Sequence, residues 1–214
     1  DTQFIPMHSS SRALEALNQG RVDYALSYTP NIEKAQKKGF PIHKGYVLVH
    51  QPLELFISHY PVSKLKGKKI AHQASPGSIS ETILKQILAQ AHLTLDDVEI
   101  IYSFYNLAAG LLSRQFDGAM NIPRTYAADI LKHNPHLYAY ELSEFGIHFE
   151  GQVLVHHQDN TQSHSLYQGI DDAKKEILEA PSKSWSVITK AYPELNTEKG
   201  RTAWLCYCDL LKAE

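Results

Sequence analysis

Residues 20–30 read GRVDYALSYTP and residues 114–123 read RQFDGAMNIP. With one gap, just before the proline, the two stretches overlay. Val22 falls on Phe116, Asp23 on Asp117, Ala25 on Ala119, Leu26 on Met120, Ser27 on Asn121 and Pro30 on Pro123. The match reaches back to Leu17 and Leu111, through SSSRALEALNQ before the first copy and FYNLAAGLLSR before the second. Each copy reads as a helix, a turn and a strand. Two copies are too few for a solenoid, which needs about three to bury a continuous core. The repeat therefore implies two related lobes. The competing reading is coincidence, because helix–turn–strand units with Asp in the turn are common.

A chain of 214 residues makes one large domain or two small ones. Its 43% hydrophobic content is that of an ordinary globular protein. A net charge of −2 gives no field to steer nucleic acid or an anionic membrane, so no nucleic-acid partner is expected. No apolar run approaches the roughly 18 residues that span a bilayer. The sequence opens at Asp1 with neither Met nor a signal-peptide pattern, so the expectation is a processed or trimmed chain. Cys206 and Cys208 flank Tyr207, a spacing poor for a disulfide and too sparse for zinc. They read as small buried apolar residues. His156, His157 and His164 suit a strand end and a polar loop better than a metal site.

Along the chain, TQFIPM (2–7) reads as a short strand, and the serines at 9–11 cap a helix closed by Gly20. VDYALSY (22–28) alternates with apolar residues at 22, 24, 26 and 28, and Pro30 opens a helix ended by Gly39. Residues 42–58 are β-rich with Pro52 in the middle, where a proline marks the chain leaving one sheet for another. Strands at 68–73, 98–103, 117–122 and 137–142 then alternate with helices. One of these helices carries Ile79, Ile83, Leu84, Ile87 and Leu88 on a single face. GIHFEGQVLVHH (146–157) is a second β-rich connection, and helices follow at 163–180, 182–191 and 197–212.

This alternation predicts an α/β fold of two lobes, each a mostly parallel sheet flanked by helices, joined by two crossover strands. Lobe 1 takes residues 1–53 and 146–214, and lobe 2 takes 54–145. Ligands bind beyond the carboxyl ends of parallel strands. Two lobes joined by two crossovers predict a cleft with a hinge, walled by Ser27, Tyr28 and Asn121.

ALEALNQGRVDYALSYTP, HQPLELFIS, LKGKKIAHQASPGS, LLSRQFDGAMNI and FGIHFEGQVLVHH resemble, in order, segments of the NMT1/THI5-like family. Its members are type II periplasmic solute-binding proteins of ABC importers, whose relatives bind thiamine pyrimidine precursors, riboflavin, sulfonates or nitrate. The resemblance covers most of residues 3–160. It implies a small-molecule ligand, a membrane permease as partner, a periplasmic or extracytoplasmic location, no cofactor and no catalysis. It departs from the family in lacking a leading strand and helix and in a shorter C-terminal end. The crossover here reads Phe149-Glu150-Gly151-Gln152, where pyrimidine binders are richer in Tyr and Glu. The pyrimidine-synthesising branch carries a cysteine cluster that this chain does not share. A monomer is expected, or a dimer if the leading unit is truly absent and a sheet edge is left open. A sensor domain of a membrane receptor and a THI5-like pyrimidine synthase stand as alternatives.

Ser75-Pro76-Gly77-Ser78 before a helix suits an anion or a carbonyl oxygen, and equally a plain N-cap. Tyr28 and Tyr105 offer aromatic faces for a flat ligand, or packing at a rim. Asn121 suits paired amide contacts or a turn before Ile122-Pro123. Arg124 suits a carboxylate, phosphate or sulfonate, or a solvated first helical turn. Gln51, Phe149 and Glu150 lie on the crossovers, as ligand contacts or exposed strand residues. The sequence has no GxSxG, HExxH or P-loop pattern.

Overall fold

The computed structural model describes residues 3–73, 76–103, 106–160 and 163–212. In chain order the first elements are α1 (Ser10–Asn18), β1 (Tyr24–Ser27), α2 (Thr29–Lys37), β2 (Ile42–Val49), β3 (Glu54–Ser58), β4 (Lys69–His72) and α3 (Ile79–Ala89). Then come β5 (Glu99–Tyr102), α4 (Leu107–Leu112), β6 (Gly118–Pro123), α5 (Arg124–His133), β7 (Tyr138–Glu141) and β8 (Gln152–His157). Three helices end the chain, α6 (Ser163–Glu179), α7 (Pro181–Ala191) and α8 (Glu198–Lys212). They pack as two compact units. One holds the residues through Gln51, Phe149–Ala191 and those from Cys208, and the other holds Pro52–His148 and Tyr192–Tyr207. The division read from the sequence differs in placing 192–207 with the first lobe.

The first unit has a three-stranded sheet in the order β1-β8-β2. β8 runs antiparallel to both neighbours, so β1 and β2 run the same way. Leu14 and Leu17 of α1, Ile32 and Ala35 of α2, Ala25, Ile42, Val153 and Val155 form its core. On the opposite face, α6 lays Tyr167 over Gly45, where a Cβ would overlap the phenol.

The second unit has a five-stranded sheet in the order β5-β4-β6-β3-β7. β5, β4 and β6 are parallel, and β3 runs antiparallel to both β6 and β7. Each long connection therefore delivers one reversed strand, β3 or β8, among strands that otherwise share a direction. Pro52 stands between β2 and β3, where it removes no ladder hydrogen bond. α4 and α5 cover one face of this sheet through Leu107, Leu111, Ala127 and Ile130. α3 buries Ile83, Leu84, Ile87 and Leu88, the face read from its spacing.

The two repeats close their helices alike. In the first, Gln19 N–H donates to Glu15 O at 3.0 Å, Gly20 to Leu17 O at 3.0 Å and Arg21 to Ala16 O at 2.9 Å. In the second, Ser113 donates to Ala109 O at 2.9 Å, Arg114 to Leu111 O at 3.1 Å and Gln115 to Gly110 O at 2.9 Å. The turning residue is left-handed in both, Gly20 at φ 67° and Arg114 at φ 57°. The repeat is thus one of hydrogen bonding as well as of letters.

Two local expectations fail. Residues 3–7 form no strand; they are irregular and exposed, with Phe4 81% exposed. A strand needs a neighbour for its backbone groups, and no described strand pairs with residues 3–7, so β1 has β8 alone beside it. The alternation in β1 also buries the other face: Ala25 and Ser27 go in, while Leu26 is 46% exposed. Ala25 is small enough to lie close beneath α1 and α2. Its counterpart strand β6 has β4 as a second neighbour, and there Met120, the equivalent of Leu26, is 1% exposed.

Candidate functional site

The carboxyl ends of the parallel strands in the second unit bring together polar groups of unusual kind. The chain passes from β4 through α3 to β5 on one side, then through α4 to β6 on the other side of β4. That reversal of direction opens a crevice at the strand ends. His72 ends β4, Tyr102 ends β5 and Asn121 lies near the end of β6.

Asn121 is aimed by a bulge. Ile57 of β3 pairs with Ala119 and Leu55 with Ile122, so Phe56 alone faces Met120 and Asn121. Asn121 absorbs the extra residue at φ 61°, a left-handed conformation that Asn tolerates better than most side chains. Its Oδ1 is buried and has no hydrogen-bond partner among the described residues. The equivalent residue of the first repeat, Ser27, ends β1 at 5% exposure, and its Oγ is likewise without a partner. Buried polar atoms are almost always paired, so two orphans at matched positions call for an explanation.

His72 is fully buried, and neither ring nitrogen has a partner among the described residues. Burial pushes its pKa below the ordinary imidazole value, and the nearby Glu81 carboxylate only partly opposes this. The ring is therefore neutral, with one nitrogen a donor and the other an acceptor. It packs edge-on to Tyr102, ring centres 4.9 Å apart. An imidazole lowered in this way stabilises the fold above its unfolded-state value of about 6.5 and loses that contribution as pH falls through the lower folded value. The expected result is a decline in unfolding free energy starting just below pH 6.5. In His72→Phe, urea titrations from about pH 7 to pH 5 should show a flatter decline than the parent. Equal slopes would place the titration elsewhere.

Ser78 caps α3, its Oγ accepting the Glu81 N–H at 3.3 Å, and Gly77 turns the preceding loop at φ 75°. Glu81 folds back so that its Oε2 accepts the Gly77 N–H at 3.1 Å and the Tyr102 hydroxyl at 3.3 Å. These bonds, the Gly77 N–H foremost and then Lys85, hold the Glu81 carboxyl below the ordinary carboxylate range despite its burial. Ser75 and Tyr105 lie outside the described residues.

Arg124 opens α5 as a clamp. Its Nε donates to Pro52 O at 2.8 Å and its Nη1 to Glu141 Oε1 at 2.6 Å. In the first unit, Tyr28 and Phe149 stand with ring centres 6.1 Å apart. Glu150 Oε2 accepts from Thr29 Oγ1 and, at 2.8 Å, from Lys44 Nζ. Burial alone would raise the Glu150 carboxyl, but Lys44 and Thr29 outweigh it and hold it low. Gln51 is half-buried just past β2. The sequence candidates thus gather into two strand-end groups, one in each unit. A cavity of about 500 Å³ in the first unit, lined by residues including Val22, Asp23, Tyr24 and His157, lies at the other end of β1 from Ser27.

His72, Glu81, Tyr102, Thr29 and Lys44 escaped the sequence reading. Glu81 had a signal: Ser78-Ile79-Ser80-Glu81 is a capping-box pattern. His72 stood out only as one polar residue closing the apolar run Ile70-Ala71.

The model of the NMT1/THI5-like family matches residues 1–193. The chain belongs to this family. A Haemophilus influenzae protein named for thiamine biosynthesis is 23% identical over 195 residues, which is 86% of this chain and 62% of that protein. The NMT1/THI5-like chain therefore spans less than two thirds of that relative. Among solved structures, it is similar to the alkanesulfonate-binding protein SsuA of Xanthomonas axonopodis pv. citri bound to MOPS. The TM-score is 0.62 at 18% identity, over 92% of this chain and 71% of that one. The periplasmic aliphatic sulphonate binding protein SsuA of Escherichia coli gives a TM-score of 0.62 at 20% identity, over 94% and 66%. The fold is that of the periplasmic solute-binding proteins. Among the described residues of this NMT1/THI5-like chain, no helix is long and apolar enough to cross a membrane.

Proposed function

We propose that the chain is the solute-binding protein of an ABC-type importer, acting outside the cytoplasm and delivering a small polar or heteroaromatic metabolite to a membrane permease. The observation that carries this reading is the pair of orphaned buried atoms, Ser27 Oγ and Asn121 Oδ1, at equivalent positions of the two repeats. A buried polar atom without a partner costs about 1–3 kcal/mol. A solute that supplies the missing partner removes that cost, which turns the defect into affinity. Within the second unit His72 adds a neutral donor and acceptor; within the first unit Tyr28 with Phe149 offers aromatic surface suited to a flat ring. Family membership and the likeness to sulfonate-binding proteins support the same role. In this reading the site binds and releases its solute unchanged. Thiamine-pyrimidine-like, riboflavin-like and sulfonate-like solutes are the candidates.

A thermal-shift screen of the chain against thiamine precursors, flavins, sulfonates and amino acids tests this. A ligand at 100 times its dissociation constant should stabilise the protein by about 2.7 kcal/mol. Silence across all four classes would overturn the reading.

A further inference from the structure

The start of α3 already holds a carboxylate where an anionic solute would be seated. A helix N-terminus offers free N–H groups and the positive end of its dipole. Here the Gly77 N–H and the Tyr102 hydroxyl both point at Glu81 Oε2, at 3.1 and 3.3 Å. Lys85 Nζ lies 3.2 Å from the other oxygen, and Glu81 is only 8% exposed. Two further cations beside candidate site residues are matched in the same way, Lys44 by Glu150 at 2.8 Å and Arg124 by Glu141 at 2.6 Å. Among the described residues the buried side-chain atoms left unpartnered are all uncharged: Asn121 Oδ1 and both nitrogens of His72 at the strand ends of the second unit, and Ser27 Oγ, His59 Nδ1 and the Tyr167 hydroxyl elsewhere. His72 is fully buried and meets edge-on the Tyr102 ring whose hydroxyl holds Glu81.

We propose that Glu81 is a specificity-determining residue, a built-in anion that bars sulfonates from the α3 end of the site and selects an uncharged solute bearing N–H donors. The inference rests on the solute-binding reading above and names its ligand class. A sulfonate would have to displace Glu81 from Gly77 and Tyr102, or sit beside its charge in a desolvated place, and juxtaposed like charges are strongly unfavourable. An amino or ring N–H meets the opposite situation. Asn121 Oδ1 accepts, one His72 nitrogen accepts, and the Glu81 charge favours a donor.

Isothermal titration of the parent chain, Glu81→Gln and Glu81→Ala with ethanesulfonate and with 4-amino-2-methylpyrimidine tests the assignment. The parent should bind the aminopyrimidine about tenfold or more tightly than the sulfonate, and both variants should shrink that ratio by a similar factor. Lys85→Met keeps Glu81 but removes its counter-charge, so it should widen the ratio; this holds the test open if the Glu81 variants fail to fold. A parent that prefers ethanesulfonate, or ratios unmoved by all three substitutions, would overturn the proposal while leaving the solute-binding role standing. A parent that binds neither probe and nothing in the thermal-shift panel would overturn both.

Discussion

Gly110→Ala is expected to destabilise the second unit by about 3 kcal/mol, the upper end for an overpacked core. The sign runs against helix propensity, which favours alanine over glycine by about 1 kcal/mol. Packing decides. A Cβ on Gly110 would overlap Cζ and Cε1 of the Phe116 ring, and Phe116 is 6% exposed with little room to move. The first repeat makes the complementary choice at the same two places, Ala16 in the helix and Val22 ahead of the strand. One copy has the larger helix residue and the smaller strand residue; the other has the reverse. Phe116→Val alone should also destabilise, through the cavity it leaves. The double variant Gly110→Ala/Phe116→Val recreates the first repeat's pair and should recover part of the loss, with a coupling of about 1–2 kcal/mol. Urea titration followed by Trp204, which lies in the second unit, would measure this in a Trp185→Phe background. Strictly additive losses would mean that the two positions do not pack as a pair.

That trade of volume shows what the sequence made legible. The repeat overlay identified the helix, turn and strand of each copy, and the caps confirm it down to the left-handed residue. Proline and glycine punctuation was equally readable, because each acts through its own backbone: Pro52 between sheets, Gly39 past α2 at φ 86°. What stayed hidden depends on neighbours distant in the chain. The buried face of β1 is set by which strands flank it, and nothing in VDYALSY says that β1 is an edge while β6 is central. Asp117 illustrates the same limit. Its carboxylate takes the Lys69 N–H at 2.9 Å and pins β6 beside β4, whereas Asp23, its equivalent ahead of β1, is exposed.

The site was legible at the same level. Ser27 and Asn121 came from the overlay as candidates, and the fold buries a polar atom of each without a partner among the described residues. The role of Arg124 as a clamp was not visible, because Glu141 and Pro52 meet it only through the pairing of β3 with β6 and β7. His72 was missed for a related reason. One polar residue at a strand end is ordinary; one that is fully buried with two unpartnered nitrogens is not, and burial is a property of the fold.

Asn121→Gly is expected to weaken ligand binding by about 10- to 100-fold while leaving stability nearly unchanged, because the relief of deleting an unpartnered oxygen is offset by glycine's backbone entropy, about 0.5–1 kcal/mol. Glycine keeps the left-handed backbone of the bulge at no steric cost and removes only the amide. Asn121→Ala would confuse the two effects, since alanine at φ 61° adds about 1–2 kcal/mol of backbone strain. Ser27→Ala makes the companion test sharper. Its hydroxyl is buried and unpartnered, so deleting it should raise stability without ligand by up to about 1–3 kcal/mol. The same deletion should weaken binding, because the solute loses that partner. A stabilising change that damages function is the mark of a group kept for its ligand rather than for its fold. Denaturation without ligand and titration with whichever solute the thermal screen identifies give the two readings. If Ser27→Ala and Asn121→Gly both leave affinity intact, the orphaned atoms are not the binding groups, and the solute must be held by other parts of the strand ends.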